Sequence, residues 1–139
     1  MTVHVRWQET LPLRVPEWIW AGFTAAWGWN ILLNPSMFAS NPASFAGASA
    51  MMAQTAWGTW AVVTGVGGLI ALGINGFWKA TPFIRTVAAG GRLVLWLLFI
   101  VALTSTGRAS TGPLLYLGLV ATELWNIYRA MGDARTAIS

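Results

Sequence analysis

The chain contains no cysteine and only one histidine, His4. Without cysteine it can form neither disulfides nor cysteine-ligated iron–sulfur clusters, and one histidine cannot complete a bis-histidine haem site or a histidine-rich zinc site. The sequence also lacks a Walker glycine loop, a Gly-x-Ser-x-Gly motif and paired carboxylates within its apolar segments. We therefore expect no cofactor, no bound metal and no enzymatic activity.

Charged residues are also scarce. They make up 9% of the 139 residues, whereas 56% are hydrophobic and the mean hydropathy is +0.60. A soluble domain has about 25% charged residues, and so few charges could not cover a water-exposed surface. A bilayer-facing surface is apolar, so the composition predicts an integral membrane protein surrounded by lipid. The eight basic residues are scattered along the chain, so we expect no nucleic-acid partner.

Four apolar runs are each near the ~20 residues that cross about 30 Å of hydrocarbon. The predicted spans are residues 17–33, 52–78, 86–104 and 113–130. Pro16 is expected in the first turn of the first span, and Thr81 and Pro82 in a short connection. The predicted fold is an all-α, four-helix membrane bundle that forms a single domain. A signal peptide is the alternative for the first run, but Glu17 and four tryptophans argue against it.

The basic residues predict one orientation. Four crossings place both termini and the second connection on one side of the membrane, with seven of the eight basic residues. These are Arg6, Arg14, Lys79, Arg85, Arg92, Arg129 and Arg135, against Arg108 on the other side. Basic residues concentrate in cytoplasmic loops, so both termini are predicted to be cytoplasmic, in a multi-pass protein of the cell inner membrane.

Tryptophans are frequent, and most lie near predicted span ends, where their rings anchor a helix in the interface. The expected anchors are Trp18, Trp20 and Trp78 on the inner side and Trp57 and Trp60 on the outer side. The deeper tryptophans, Trp27, Trp29 and Trp96, are interpreted as helix-packing residues.

Glu123 and Arg92 are the charges placed inside apolar runs, each about six or seven residues from the inner end of its span. The two spans are antiparallel, and an unpaired charge in hydrocarbon costs several kcal/mol, so we expect them to pair. Asn75 and Asn126 are predicted in the same polar layer. The layer either lines an ion or substrate path or is a salt bridge that fixes helix packing, and we favour the salt bridge. Glu17 and Arg85 are interpreted as interfacial residues.

The second span is rich in glycine, which lets membrane helices approach closely. The pairs Ala61 and Gly65, and Thr64 and Gly68, have small-xxx-small spacing and predict a helix-packing face. The connection at residues 34–55 carries no charge. It is interpreted as a loop packed over the bundle. The alternatives are a short interfacial helix that begins at Asn41 and a re-entrant or gating segment.

One stretch carries a family resemblance. It comprises the segment INGFWKATPFIR at residues 74–85, a Ser-Thr-Gly at residues 110–112, and a final ELWNIYRA at residues 123–130. These segments resemble small four-span proteins encoded by tailed phages and prophages of proteobacteria, which are described as membrane proteins or holins. The resemblance covers the second half of the chain and implies a phage-derived inner-membrane protein without an active site.

Three functions are compatible with these features. The first is a holin-like protein that self-associates as a homo-oligomer and permeabilises the membrane. The second is a non-catalytic membrane subunit, or a virion-associated component, held in a larger assembly. The third is a small proton-coupled transporter that uses Glu123.

Overall fold

The protein is helical throughout the part of the chain described by the computed structural model, residues 7–74, 80–107 and 111–138. Within these residues there is no strand, which confirms the all-α prediction. The helices are α1 (Trp7–Leu33), α2 (Met37–Ser40), α3 (Pro42–Met51), α4 (Gln54–Gly73), α5 (Thr81–Thr104) and α6 (Gly112–Ile138).

The ends of the long helices differ from the predicted spans. Helix α1 begins at Trp7, so Pro16 lies in its interior and the prediction of a first-turn proline was wrong. Helix α5 begins at Thr81 with Pro82 in its first turn, where the missing N–H is not needed; these residues start a helix instead of forming a connection. Helix α6 continues to Ile138, well past residue 130, and α4 ends at Gly73. Apolar composition marks where a helix is hydrophobic, not where its hydrogen bonding ends.

The four long helices pack as a bundle. Helix α1 lies along α4, α5 lies along α6, and α4 also contacts α5, whereas α1 and α6 meet only sparsely. Buried residues on α5 recur at spacings of three and four, as in Arg85, Ala88, Arg92, Leu95 and Phe99. This spacing gives α5 one stripe of inward-facing residues.

The small residues of α4 pack against two neighbours. A Cβ on Gly65 would lie 2.5 Å from Ala25 N of α1, and a Cβ on Gly28 of α1 would lie 2.6 Å from the Ala61 Cβ. Thr64 lies against Gly91 of α5. The pair Ala61 and Gly65 therefore packs on α1, with Gly65 close to its backbone, whereas Thr64 and Gly68 face Gly91 and the Arg92 side chain of α5.

An aromatic core fills the half of the bundle near the 34–53 connection. Phe99 packs edge-on against Trp27, Trp57 and Tyr116, with ring centroids 5.0, 5.4 and 5.1 Å away. Trp96 stacks on Tyr116 at 5.3 Å. Trp57 and Trp96 are fully buried, so Trp57 is not the exposed interface anchor that was expected. Its ring lies inside the bundle, where Nε1 donates a hydrogen bond to Ala48 O at 3.0 Å.

The uncharged connection is helical, so the preferred prediction of a loop was wrong. Helix α3 begins with Pro42 after Asn41, as in the alternative interpretation, although the Asn41 side chain bonds Met37 O and does not cap α3. Gly47 of α3 lies directly against the backbone of Ala102, so α3 is seated on α5. The connection therefore closes this end of the bundle.

Gln54 ties this cap to the helices below it. Its Nε2 donates to Ile31 O at 2.9 Å and to Asn34 O at 2.6 Å, and its Oε1 accepts from Phe38 N at 2.9 Å. A single side chain thus satisfies backbone groups at the end of α1 and the start of α2.

Replacing Gln54 by Ala is expected to loosen the cap by about 1–3 kcal/mol, because three backbone groups lose a partner. Hydrogen exchange should show faster exchange at residues 34–41 and little change in the middle of α5. Thr55→Ala, at the next and exposed position, serves as the control. Equal exchange in both variants would show that Gln54 does not hold the cap.

The outer surface of the bundle is apolar on every long helix. Large exposed residues include Ile19 and Trp29 on α1, Val63 and Ile70 on α4, Val87 on α5 and Leu114 on α6. Helices α4 and α5 are each long and apolar enough to cross a membrane, and only 39% of the residues in their most apolar stretches are buried in the fold.

Candidate functional site

The first polar cluster lies inside the bundle between α5 and α6. Arg92 Nε donates to Glu123 Oε1 at 2.5 Å, and Nη2 donates to Glu123 Oε2 at 3.0 Å. Asn126 Nδ2 donates to Glu123 Oε2 at 3.1 Å. Each of these residues is at most 2% exposed. The structure thus brings together three of the four residues predicted for the polar layer, while Asn75 lies outside the described residues.

Helix α4 completes the environment of Arg92. Arg92 Nη1 donates to Thr64 O at 3.1 Å. A Cβ on Gly68 would clash with the Arg92 guanidinium, so the absence of a side chain at Gly68 makes room for it. The guanidinium is therefore held by a bidentate carboxylate and a helix carbonyl, an arrangement that suits its planar set of donors.

The depth of this cluster differs from the expectation. Because α5 begins at Thr81, Arg92 lies midway along it, about 16–18 Å from either end at 1.5 Å per residue. The sequence placed Arg92 nearer the inner end, since its span was taken to start at residue 86. The pair sits at mid-height in the bundle.

A second cluster, which sequence reasoning missed, lies near the N-terminal end of α5. Arg85 Nε and Nη2 bond the Glu17 carboxylate at 2.6–2.9 Å, and Nη1 donates to Asp133 Oδ2 at 2.7 Å. Arg14 Nη2 also reaches Asp133 Oδ2, at 3.3 Å. Glu17 and Arg85, which were interpreted as ordinary interfacial residues, are 4% and 3% exposed and are paired inside the protein. The seven-residue spacing between Arg85 and Arg92 could have indicated that Arg85 is buried, since it places both arginines on one helix face.

Both clusters pair arginines with carboxylates. Among the described ion pairs, the first cluster joins Arg92 to Glu123, and the second joins Arg14 and Arg85 to Glu17 and Asp133. Burial lowers the pKa of Arg14 from its usual value, as does the nearby charge of Arg85, while Asp133 and Glu17 oppose both effects. Neither cluster leaves a carboxylate without a cation, and within the described residues no group of His, Asp or Glu is arranged to hold a metal.

Two buried polar atoms lie close to the first cluster along the chain. Within the described part of the protein, Trp96 Nε1 and Asn126 Oδ1 have no hydrogen-bond partner. Trp96 lies four residues after Arg92 on α5, and Asn126 lies three residues after Glu123 on α6. Each is therefore about one helical turn from a member of the ion pair. Their positions give the polar layer an unused donor and an unused acceptor.

The remaining predicted anchors are only partly exposed. Trp18, Trp20 and Trp60 are half-buried, and Trp60 Nε1 donates to Gly91 O at 3.1 Å. Trp78 lies outside the described residues. Trp29, interpreted as a packing residue, is instead 57% exposed. Composition located the tryptophans but not the face of the helix on which each one lies.

Comparisons with known protein families, with curated proteins and with solved structures find no match for this chain.

Proposed function

We propose that the chain is a four-span protein of a bacterial inner membrane, with both termini cytoplasmic, that acts as a non-catalytic, laterally associating membrane component. The observation that carries this proposal is that charged side chains are buried and apolar side chains are exposed, the reverse of the arrangement in a soluble protein. Glu17, Arg85, Arg92 and Glu123 are at most 4% exposed, while large apolar side chains face outward from all four long helices. Water would disfavour that surface and lipid favours it.

The distribution of charge at the two ends supports the orientation. Arg14, Glu17, Arg85 and Asp133 meet at one end, and α6 brings Arg129 and Arg135 to the same end. At the opposite end, the described residues 34–54 carry no charged side chain. The basic end is therefore assigned to the cytoplasm.

The two clusters support a permanently folded component more than a transporter. Glu123 accepts two hydrogen bonds from Arg92 and one from Asn126. Protonating it would leave the Arg92 charge uncompensated in the apolar interior, which is costly. A carboxylate that carries protons needs to release its cation partner, and the fixed geometry opposes this.

Holin-like permeabilisation is the second candidate, favoured by the glycines on the outside of the bundle. Gly22, Gly90, Gly118 and Gly132 have nothing within 4 Å of a Cβ built on them, so the fold of one chain does not require glycine at these positions. Such glycines permit close approach of helices from other copies. The resemblance to phage-encoded proteins points the same way.

Regulated expression in a bacterium separates these possibilities. The protein should stay in membranes after alkaline carbonate washing, and cysteines added at either end should be protected from impermeant reagents in intact cells. For a non-catalytic component, membrane potential should persist at all expression levels; its collapse would favour the holin-like function. Extraction by carbonate, or labelling at one end only, would refute the four-span proposal.

A further inference from the structure

We propose that the outer face of α6 near its C-terminal end binds the phosphate of an anionic phospholipid. This inference rests on the proposed membrane orientation. A shallow pocket there is lined by Tyr128, Arg129, Met131, Gly132 and Arg135. It offers two guanidinium groups and a phenol, the donors that recognise a phosphate monoanion.

Helical spacing explains why four of these five residues share one face. Met131 and Gly132 come three and four residues after Tyr128, and Arg135 comes four and three residues after them, opposite the buried Asn126, Ala130 and Ala134. Arg129 directly follows Tyr128 and lines the pocket from outside this series. A Cβ built on Gly132 meets nothing within 4 Å, so the floor of the pocket is open beside the helix backbone. A headgroup can approach closely there.

The depth of the pocket suits a headgroup. Gly132 lies about 13–14 Å along α6 from Glu123, at 1.5 Å per residue, and half the hydrocarbon thickness is about 15 Å. With the Arg92–Glu123 pair at mid-height, the pocket lies at the inner boundary of the hydrocarbon. Trp125 and Tyr128, stacked at 5.9 Å and more than half exposed, continue the face toward the centre, where they would contact the acyl chain.

Local charge favours an anion. Among the described side chains at this end, Arg14, Arg85, Arg129 and Arg135 outnumber Glu17 and Asp133. A positive surplus at the cytoplasmic leaflet attracts anionic lipid over zwitterionic lipid.

The test uses the purified full chain in detergent, titrated with phosphatidylglycerol or phosphatidylcholine and followed by native mass spectrometry. Phosphatidylglycerol should be retained preferentially, and the double variant Arg129→Gln/Arg135→Gln should raise its apparent Kd by at least about tenfold. The charge-conserving double variant, Arg129→Lys/Arg135→Lys, should recover part of the affinity. Arg108→Gln, which removes a positive charge far along the chain from the pocket residues, should leave the affinity for phosphatidylglycerol unchanged.

Equal retention of the two lipids, or no effect of the double Gln variant, would overturn the inference. Displacement of the lipid by millimolar inorganic phosphate would also overturn it, since the pocket would then be a free-phosphate site. Carbonate washing of wild-type membranes distinguishes failure of the lipid site from failure of the proposed function. A protein that remains membrane-embedded but shows no lipid preference refutes only the lipid site.

Discussion

Replacing Glu123 by Ala will destabilise the bundle by about 3–5 kcal/mol, because Arg92 is left as a buried charge without its carboxylate. Arg92 and Glu123 are joined by two hydrogen bonds and are 2% and 0% exposed, so solvent cannot compensate the arginine. Unfolding of the purified protein in mixed micelles, followed by circular dichroism, measures this loss.

Two comparison variants separate charge burial from loss of packing. Thr122→Ala alters a neighbouring side chain whose hydroxyl bonds only its own helix, at Gly118 O, and should cost little. Arg92→Leu/Glu123→Leu removes both charges and should recover most of the stability lost in Glu123→Ala. A double variant as unstable as the single variant would show that the ion pair itself, and not the orphaned charge, dominates.

Replacing Gly65 by Ala will separate α1 from α4 and cost about 1–3 kcal/mol, the usual range for overpacking. The new methyl would lie 2.5 Å from Ala25 N and 2.8 Å from Ala21 O. Both are backbone atoms of α1, so they can move away only if the helix itself moves. Thermal unfolding in detergent, with helicity recorded by circular dichroism, provides the measurement.

Gly67→Ala is the matched control for this substitution. Gly67 lies two residues away on the same helix, and nothing lies within 4 Å of a Cβ built there. Alanine should therefore be neutral or stabilising by up to about 1 kcal/mol, through helix propensity alone. If the two variants unfold at the same temperature, the close contact between α1 and α4 does not contribute to stability.

The four long helices were predicted from apolar runs in the sequence, and within the described residues two of them, α4 and α5, are long and apolar enough to cross a membrane. The helical ends could not be predicted, since the first turns of α1 and the last turns of α6 lie beyond the apolar residues. Pairing of Arg92 with Glu123 followed from the cost of an isolated charge at that depth. Pairing of Glu17 with Arg85 did not, because charged residues near the end of an apolar run can have water as a partner, and only the packed helices show that both side chains are buried.

The connection at residues 34–53 shows a different limit. Its lack of charge was visible in the sequence, but two of the interactions that fold it depend on distant partners. Gly47 lies against Ala102, and Gln54 bonds the backbone at Ile31. Local composition cannot reveal such contacts, because a glycine or a glutamine can equally well lie in a loop that packs against nothing.

The long sequence separation of the ion pairs bears on how the protein is made. Glu17 and Arg85 are 68 residues apart, and Arg85 and Asp133 are 48 apart. During synthesis, Glu17 leaves the ribosome well before its arginine does. The Glu17–Arg85 pair can therefore form only after α5 has been made, and its link to Asp133 only after most of α6 has followed. A chain truncated after α4 would keep Glu17 without the arginine that pairs with it in the full fold.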